Sequence, residues 1–132
     1  MSKRNCHFAF IALFSLLAGC AERAPSVQGT VTYEGKPIES GRIAFSPIGG
    51  QGTPFGGLIE NGSYSIDEAY LGKRVVAISA KNEIKFNGRE MIMPAEGKPG
   101  EEIVPEDAVG NMQEVEIKGG SQTLDFHLTA PK

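Results

Sequence analysis

Apolar residues follow two patterns along this chain. From Phe8 to Ala18 they run almost unbroken, with Ser15 the one polar position. From Val27 onward they alternate with polar residues in short bursts, each closed by Gly, Pro or Asn-Gly. Alternation with a period of two is the mark of a strand with one buried face. Val27, Gly29, Val31 and Tyr33 fall on one face of such a strand, and Gln28, Thr30 and Thr32 on the other. Gly41 to Ser46 predicts a second strand with Ile43 and Phe45 inward, stopped by Pro47. Within Gly57 to Ile66, Asn61-Gly62 predicts a two-residue type I′ hairpin, because both turn positions need positive φ. That turn sets Glu60 opposite Ser63 and Ile59 opposite Tyr64, and puts Ile59, Tyr64 and Ile66 on one face. Arg74 to Ala80 predicts a further strand with Val76, Ile78 and Ala80 inward. The chain is predicted to close with a hairpin: Gln113 to Lys118, a turn at Gly119-Gly120, then Thr123 to Thr129. Val115, Ile117, Leu124, Phe126 and Leu128 would face inward there. No stretch after the leading run carries a helical period.

Lys81 to Met112 is long, polar and rich in Gly and Pro, with one predicted extended piece at Glu102-Ile103-Val104. Connections beyond about 12–15 residues are uncommon in compact domains and are usually functional or disordered. This one carries an apolar trio, Met91, Ile92 and Met93. Two readings follow: the trio folds back over a sheet edge, or it contacts a partner through adaptable methionines. On the second reading, residues 86–100 are the most mobile and most partner-accessible part of the domain.

The leading run is shorter than the roughly 20 apolar residues that span a bilayer. With Lys3 and Arg4 before it, it has the n- and h-regions of a secretory signal. It ends Leu17-Ala18-Gly19-Cys20, which resembles the lipobox of bacterial lipoproteins. That resemblance implies a thioether to diacylglycerol on Cys20, cleavage before it, and acylation of the new amine. Each buried CH₂ contributes about 0.8 kcal/mol, so two or more chains anchor firmly. An ordinary cleaved signal or a buried apolar helix is the alternative; basic flank, apolar run and lipobox together weigh against it. The implied organisation is a signal peptide over 1–19, a lipidated Cys20 with a short tether to residue 26, and one domain over 27–130. The expected location is the cell envelope, at the outer membrane or the extracytoplasmic face of a membrane. Ala21, where Asp would otherwise follow the anchor, resembles the outer-membrane-sorted pattern.

Removing residues 1–19 leaves 113 of the 132 residues, with 11 basic and 16 acidic side chains and a net charge of −5. An acidic balance argues against nucleic acid or an anionic membrane surface as a partner. Cys6 leaves with the signal and Cys20 is taken by lipid, so no disulfide, thiolate metal site or cysteine nucleophile is expected. Abundant Gly and the lack of Trp suit a small β protein with many turns. The glycine-rich Gly49 to Gly57 lacks the Gly-Lys-Ser/Thr ending of a phosphate cradle and reads as a connector. His127 alternates with Phe126 and Leu128, so it points with Thr123 and Asp125 to the polar face, where a solvated imidazole is expected. A Ser-His-Asp device would need that one imidazole as base, and no GxSxG elbow is present. Glu96, Glu101, Glu102, Glu106 and Asp107 form an acidic stretch. Calcium takes about six to eight oxygens, but the spacing matches no calcium loop and reads as a solvated surface. No catalytic residue, metal ligand or cofactor is expected.

About seven short strands separated by turns predict an all-β, antiparallel sandwich. The segments GTVTYEGKPIESGRIAFSP, GLIENGSYSI, GKRVVAISAK and VPED…EVEIKGGSQTLDFHL follow one another in an order that resembles the carboxypeptidase regulatory-like domain. That domain is a seven-stranded Greek-key sandwich of transthyretin (prealbumin) type. More narrowly, the chain resembles the small planctomycete-type lipoproteins that carry it. The resemblance covers most of residues 27–130 and is weakest over 81–101. Its motifs, G-x-V-x-x-x-G-x-P at 29–37 and N-G-x-Y-x-I at 61–66, specify shape and carry no catalytic residue. Arg74 is one departure, where the family often has an aromatic. A transthyretin-like enzyme type hydrolyses a urate-derived ring, using several His and Arg residues and a Tyr-Arg-Gly-Ser ending. This chain keeps one His after the signal and ends Leu128-Thr129-Ala130-Pro131-Lys132, so the resemblance argues against that activity. The expectation is a non-catalytic envelope lipoprotein, held to the membrane through Cys20, that binds or scaffolds an envelope protein or glycan. The alternative is an accessory or degenerate hydrolase subunit.

Overall fold

The computed structural model describes residues 22–132. The signal, the lipobox and Cys20 lie outside the described residues. The described chain is all-β, with no helix.

β1 (Ser26–Tyr33) turns through Glu34-Gly35 into the short β2 (Lys36–Pro37), which pairs back on it. β3 (Ser40–Pro47), β4 (Phe55–Glu60) and β5 (Ser63–Ile66) form a meander. The turn between β4 and β5 has φ of +50° at Asn61 and +77° at Gly62, with Glu60 opposite Ser63, as a type I′ hairpin requires. β6 (Gly72–Lys81) returns past β4 and β5 to lie antiparallel beside β3. On the other edge of β6 lie β9 (Glu102–Val104) and β10 (Gln113–Ile117). β11 (Ser121–Thr123) and β12 (Phe126–Leu128) both run parallel to β1.

The sheet order is β10-β6-β3-β4-β5-β1-β11, and the sheet curls. The curl brings inward residues from far along the path into one core, including Ile117, Val76, Phe45, Ile59, Tyr64, Val31 and Phe126. Fully burying an aliphatic or aromatic side chain contributes about 1.5–3 kcal/mol, so this cluster carries the fold. The predicted inward positions Ile43, Phe45, Ile59, Tyr64, Ile66, Val76, Ile78 and Ala80 are all buried.

Three expectations are corrected. First, the closing hairpin does not form. β10 pairs with β6 and β11 pairs with β1, at opposite ends of the sheet path. Gly119-Gly120 carries the chain from one edge to the other. Gln122 braces that passage, accepting from the Lys118 amide at 3.0 Å and donating to the Glu116 carbonyl at 3.0 Å. Second, Thr123 to Thr129 is not one strand. It breaks at Leu124-Asp125, where β11 hands over to β12 along the same partner. Third, residues 81–112 hold more strand than expected. β7 (Lys85–Asn87) and β8 (Glu90–Ile92) form a hairpin that pairs with nothing else among the described residues. Its two-residue loop has Gly88 first, at φ +65°, the type II′ arrangement. The described residues hold twelve strands, where alternation alone predicts about seven.

Arg74 lies on the inward face and is buried. Its guanidinium sits 5.5 Å over the Phe55 ring, which itself stacks on Phe45 at 4.8 Å. It donates to the carbonyls of Thr53 at 3.0 Å and Leu71 at 2.9 Å. A planar, weakly hydrated cation with an apolar stem stacks well on an aromatic face. The bond to Thr53 pins the glycine-rich connector to the body, and the bond to Leu71 holds the loop that leads into β6.

Candidate functional site

Strand directions give the domain two poles. The start of β1 pairs with the end of β5, Val27 opposite Ile66, so Ser26 lies at one pole. The end of β1 at Tyr33, the start of β3 at Ser40 and the end of β6 at Lys81 lie at the other. The β7–β8 arm springs from this second pole, just after Lys81.

A cleft of about 750 Å³ opens there, between the arm and the turn that carries β2. Apolar lining comes from Ile38, Ile92, Met93, Pro94 and Ile103. Its charged lining is six glutamates and three lysines, a balance of three negative charges. Lys85 meets Glu39 at 3.6 Å, an exposed pair of small energetic weight. Glu101 folds back to accept the Lys98 amide at 2.8 Å, which shapes the 97–101 turn.

Met91, Ile92 and Met93 are exposed by 59%, 47% and 54%, and Phe86 beside them by 70%. The arm makes no strand pairing with the main sheet, so the trio does not cover a sheet edge by pairing. Ile92 and Met93 line the cleft, whereas Met91 does not. Glu96, Glu101 and Glu102 of the acidic stretch line it too; Glu106 and Asp107 do not. No group of three or more His, Cys, Asp or Glu among the described residues is placed to share a metal ion.

The arm has a local signature in the sequence. Gly88-Arg89, with Gly first between the apolar Phe86 and Met91, is a type II′ hairpin signal, unlike the type I′ Asn61-Gly62. No local signal would have revealed the cleft, because it joins residues 33–40 to residues 81–103.

His127 and Asp125 do lie on the polar face, as predicted, but they are not simply solvated. The Asp125 carboxylate accepts from the Thr30 amide at 2.8 Å and from the Thr30 hydroxyl at 3.0 Å. The His127 Nδ1 and the Thr32 hydroxyl share a hydrogen bond of 2.9 Å. Both acidic and basic partners are therefore tied to threonines of β1, and they bind the last strand to the first. The Thr30 amide, then the Thr30 hydroxyl, hold the Asp125 carboxyl below its ordinary value of 3.8, and the neighbouring His127 adds to this. Across the strand, burial pushes the Tyr64 hydroxyl well above its ordinary value, and the Asp125 charge adds to that rise. Tyr64 stays a donor, to the Leu124 carbonyl at 2.7 Å.

A lowered carboxyl pKa stabilises the fold above the unfolded value, and that contribution is lost as pH falls through the folded value. Asp125→Asn is accordingly expected to flatten the acid side of the stability curve below about pH 4. Urea midpoints measured from pH 6 to pH 2 check this. A constant offset between the two proteins across that range would assign the acid sensitivity to other groups.

The chain matches no protein-family model, no curated protein and no solved structure.

Proposed function

We propose that this chain is a non-catalytic cell-envelope lipoprotein that presents a small β domain for protein or glycan binding, or for scaffolding, at a membrane surface. The observation that carries this reading is Leu17-Ala18-Gly19-Cys20 at the close of a basic-flanked apolar run. The position of β1 supports it. The first strand starts at Ser26, leaving a tether of a few residues that reaches at most about 20 Å.

For the finer fold, we infer a transthyretin-like Greek-key sandwich. Its support is the return of β6 to lie beside β3, outside the β3-β4-β5 meander, the strand order that defines a Greek key. A non-catalytic role is supported by how the polar face is used. The Asp125 carboxylate is taken up by the Thr30 amide and hydroxyl, so it does not orient the His127 ring as the third member of a triad would.

Cys20→Ser is the test. In cells fed a labelled fatty-acid analogue, the unaltered chain is expected to carry label and fractionate with membranes. The variant is expected to lose both. Label retained on the variant would remove the anchor from this reading.

A further inference from the structure

We infer that the cleft at the pole opposite the tether binds an extended, lysine- or arginine-bearing segment of another polypeptide. This deepens the proposed function and rests on it for the orientation of the domain. The strand directions place Ser26 at one pole and the cleft at the other, separated by the length of β1. Eight residues of strand rise about 26 Å. The cleft therefore faces away from the lipid-bearing terminus, and the bilayer beneath the tether is not its occupant.

Three features select the partner's chemistry. Ile92, Met93 and Ile103 supply apolar surface, and thioethers repack around varied side chains. Glu96, Glu101 and Glu102 lead an acidic lining, which attracts basic side chains and repels acidic ones. A second copy of this chain would bring a net charge of −5 of its own once residues 1–19 are removed, so self-docking is opposed. Finally, β7 and β8 pair only with each other among the described residues. Each leaves an outer edge of backbone N–H and C=O groups, and an extended chain adds to such an edge as a further strand. Apolar contacts, acids and free strand edge together describe a seat for a segment that alternates basic and apolar residues.

The experiment uses the mature, lipidated protein in detergent micelles. Two dye-labelled peptides serve as probes, one alternating lysine with valine and one alternating glutamate with valine. Fluorescence anisotropy reads binding. The lysine peptide is expected to bind saturably and the glutamate peptide not at all. Changing Met91, Ile92 and Met93 together to Ser, or Glu96 and Glu102 together to Gln, is expected to weaken binding about tenfold or more, without moving the melting midpoint. Leu58→Ser, at an exposed apolar residue that does not line the cleft, is expected to leave binding unchanged. Should the triple serine variant melt early, the glutamine pair decides alone.

Equal binding of the two peptides, no saturable binding, or binding insensitive to the glutamine pair would overturn the inference. So would displacement of the lysine peptide by a neutral oligosaccharide such as maltohexaose, which would assign the cleft to glycan. Fatty-acid labelling of the same preparation separates the two readings. Labelled protein that binds no peptide overturns the cleft inference and leaves the anchor in place. Unlabelled protein that binds the lysine peptide does the reverse.

Discussion

Gly29→Val is expected to destabilise the domain by about 3 kcal/mol or more, enough to leave much of the protein unfolded. A Cβ at this position would sit 1.9 Å from the Leu124 carbonyl oxygen and 2.7 Å from its carbon. Both atoms belong to backbone, so no rotamer change relieves the overlap. The close approach has a reason. β1 pairs with β11 up to Gln28 opposite Thr123, and with β12 from Val31 opposite Phe126. Between these ladders Leu124-Asp125 leaves regular pairing. The Leu124 amide still donates to the Gln28 carbonyl at 2.9 Å, and the Thr30 amide is satisfied by the Asp125 side chain. The irregular backbone is drawn against β1 at Gly29, where no side chain stands in the way. Circular dichroism during urea titration checks the expectation. A midpoint within error of the unaltered protein would mean that the junction moves aside at little cost.

Asn111→Leu is expected to cost about 2–3 kcal/mol, because it orphans two buried backbone groups. β10 occupies β6 from Gly72 to Val76, and β9 takes it up again at Ala80. Ile78 falls in the gap, and the residue is 2% exposed. The Asn111 amide fills that gap as a substitute peptide group. Its Oδ1 accepts from the Ile78 amide at 2.8 Å, and its Nδ2 donates to the Ile78 carbonyl at 2.9 Å. Leucine matches the size but offers neither bond. Asn111→Asp keeps the acceptor and loses the donor, so an intermediate effect is expected. Hydrogen exchange at the Ile78 amide is the direct check, with faster exchange expected in the leucine variant. Unchanged protection there would show that water or a shifted strand supplies the missing partner.

Both residues looked ordinary in the sequence. Gly29 reads as one small residue on an alternating face, and Asn111 as one more polar residue in a long loop. What each touches comes from a segment far away: Leu124 for Gly29, Ile78 for Asn111. Arg74 is a similar case. Alternation puts it inward with Val76 and Ile78, yet only its place over Phe55 and under the carbonyls of Thr53 and Leu71 explains how a cation is accommodated there.

By itself the sequence determined the all-β class, the faces of the main strands and the 61–62 turn. Those depend on period-two alternation and on positive φ, which are local properties. It also placed Asp125 and His127 on the polar face. Strand partnership was decided only in the folded molecule. Gly119-Gly120 permits a hairpin, but β10 joins β6 and β11 joins β1 at opposite ends of the sheet path, and from there Ile117 on one side and Phe126 and Leu128 on the other reach the same core. The cleft is likewise a product of tertiary structure, because the sheet's curl and the β7–β8 arm bring residues 33–40 and 81–103 together, and no spacing within either segment encodes that meeting.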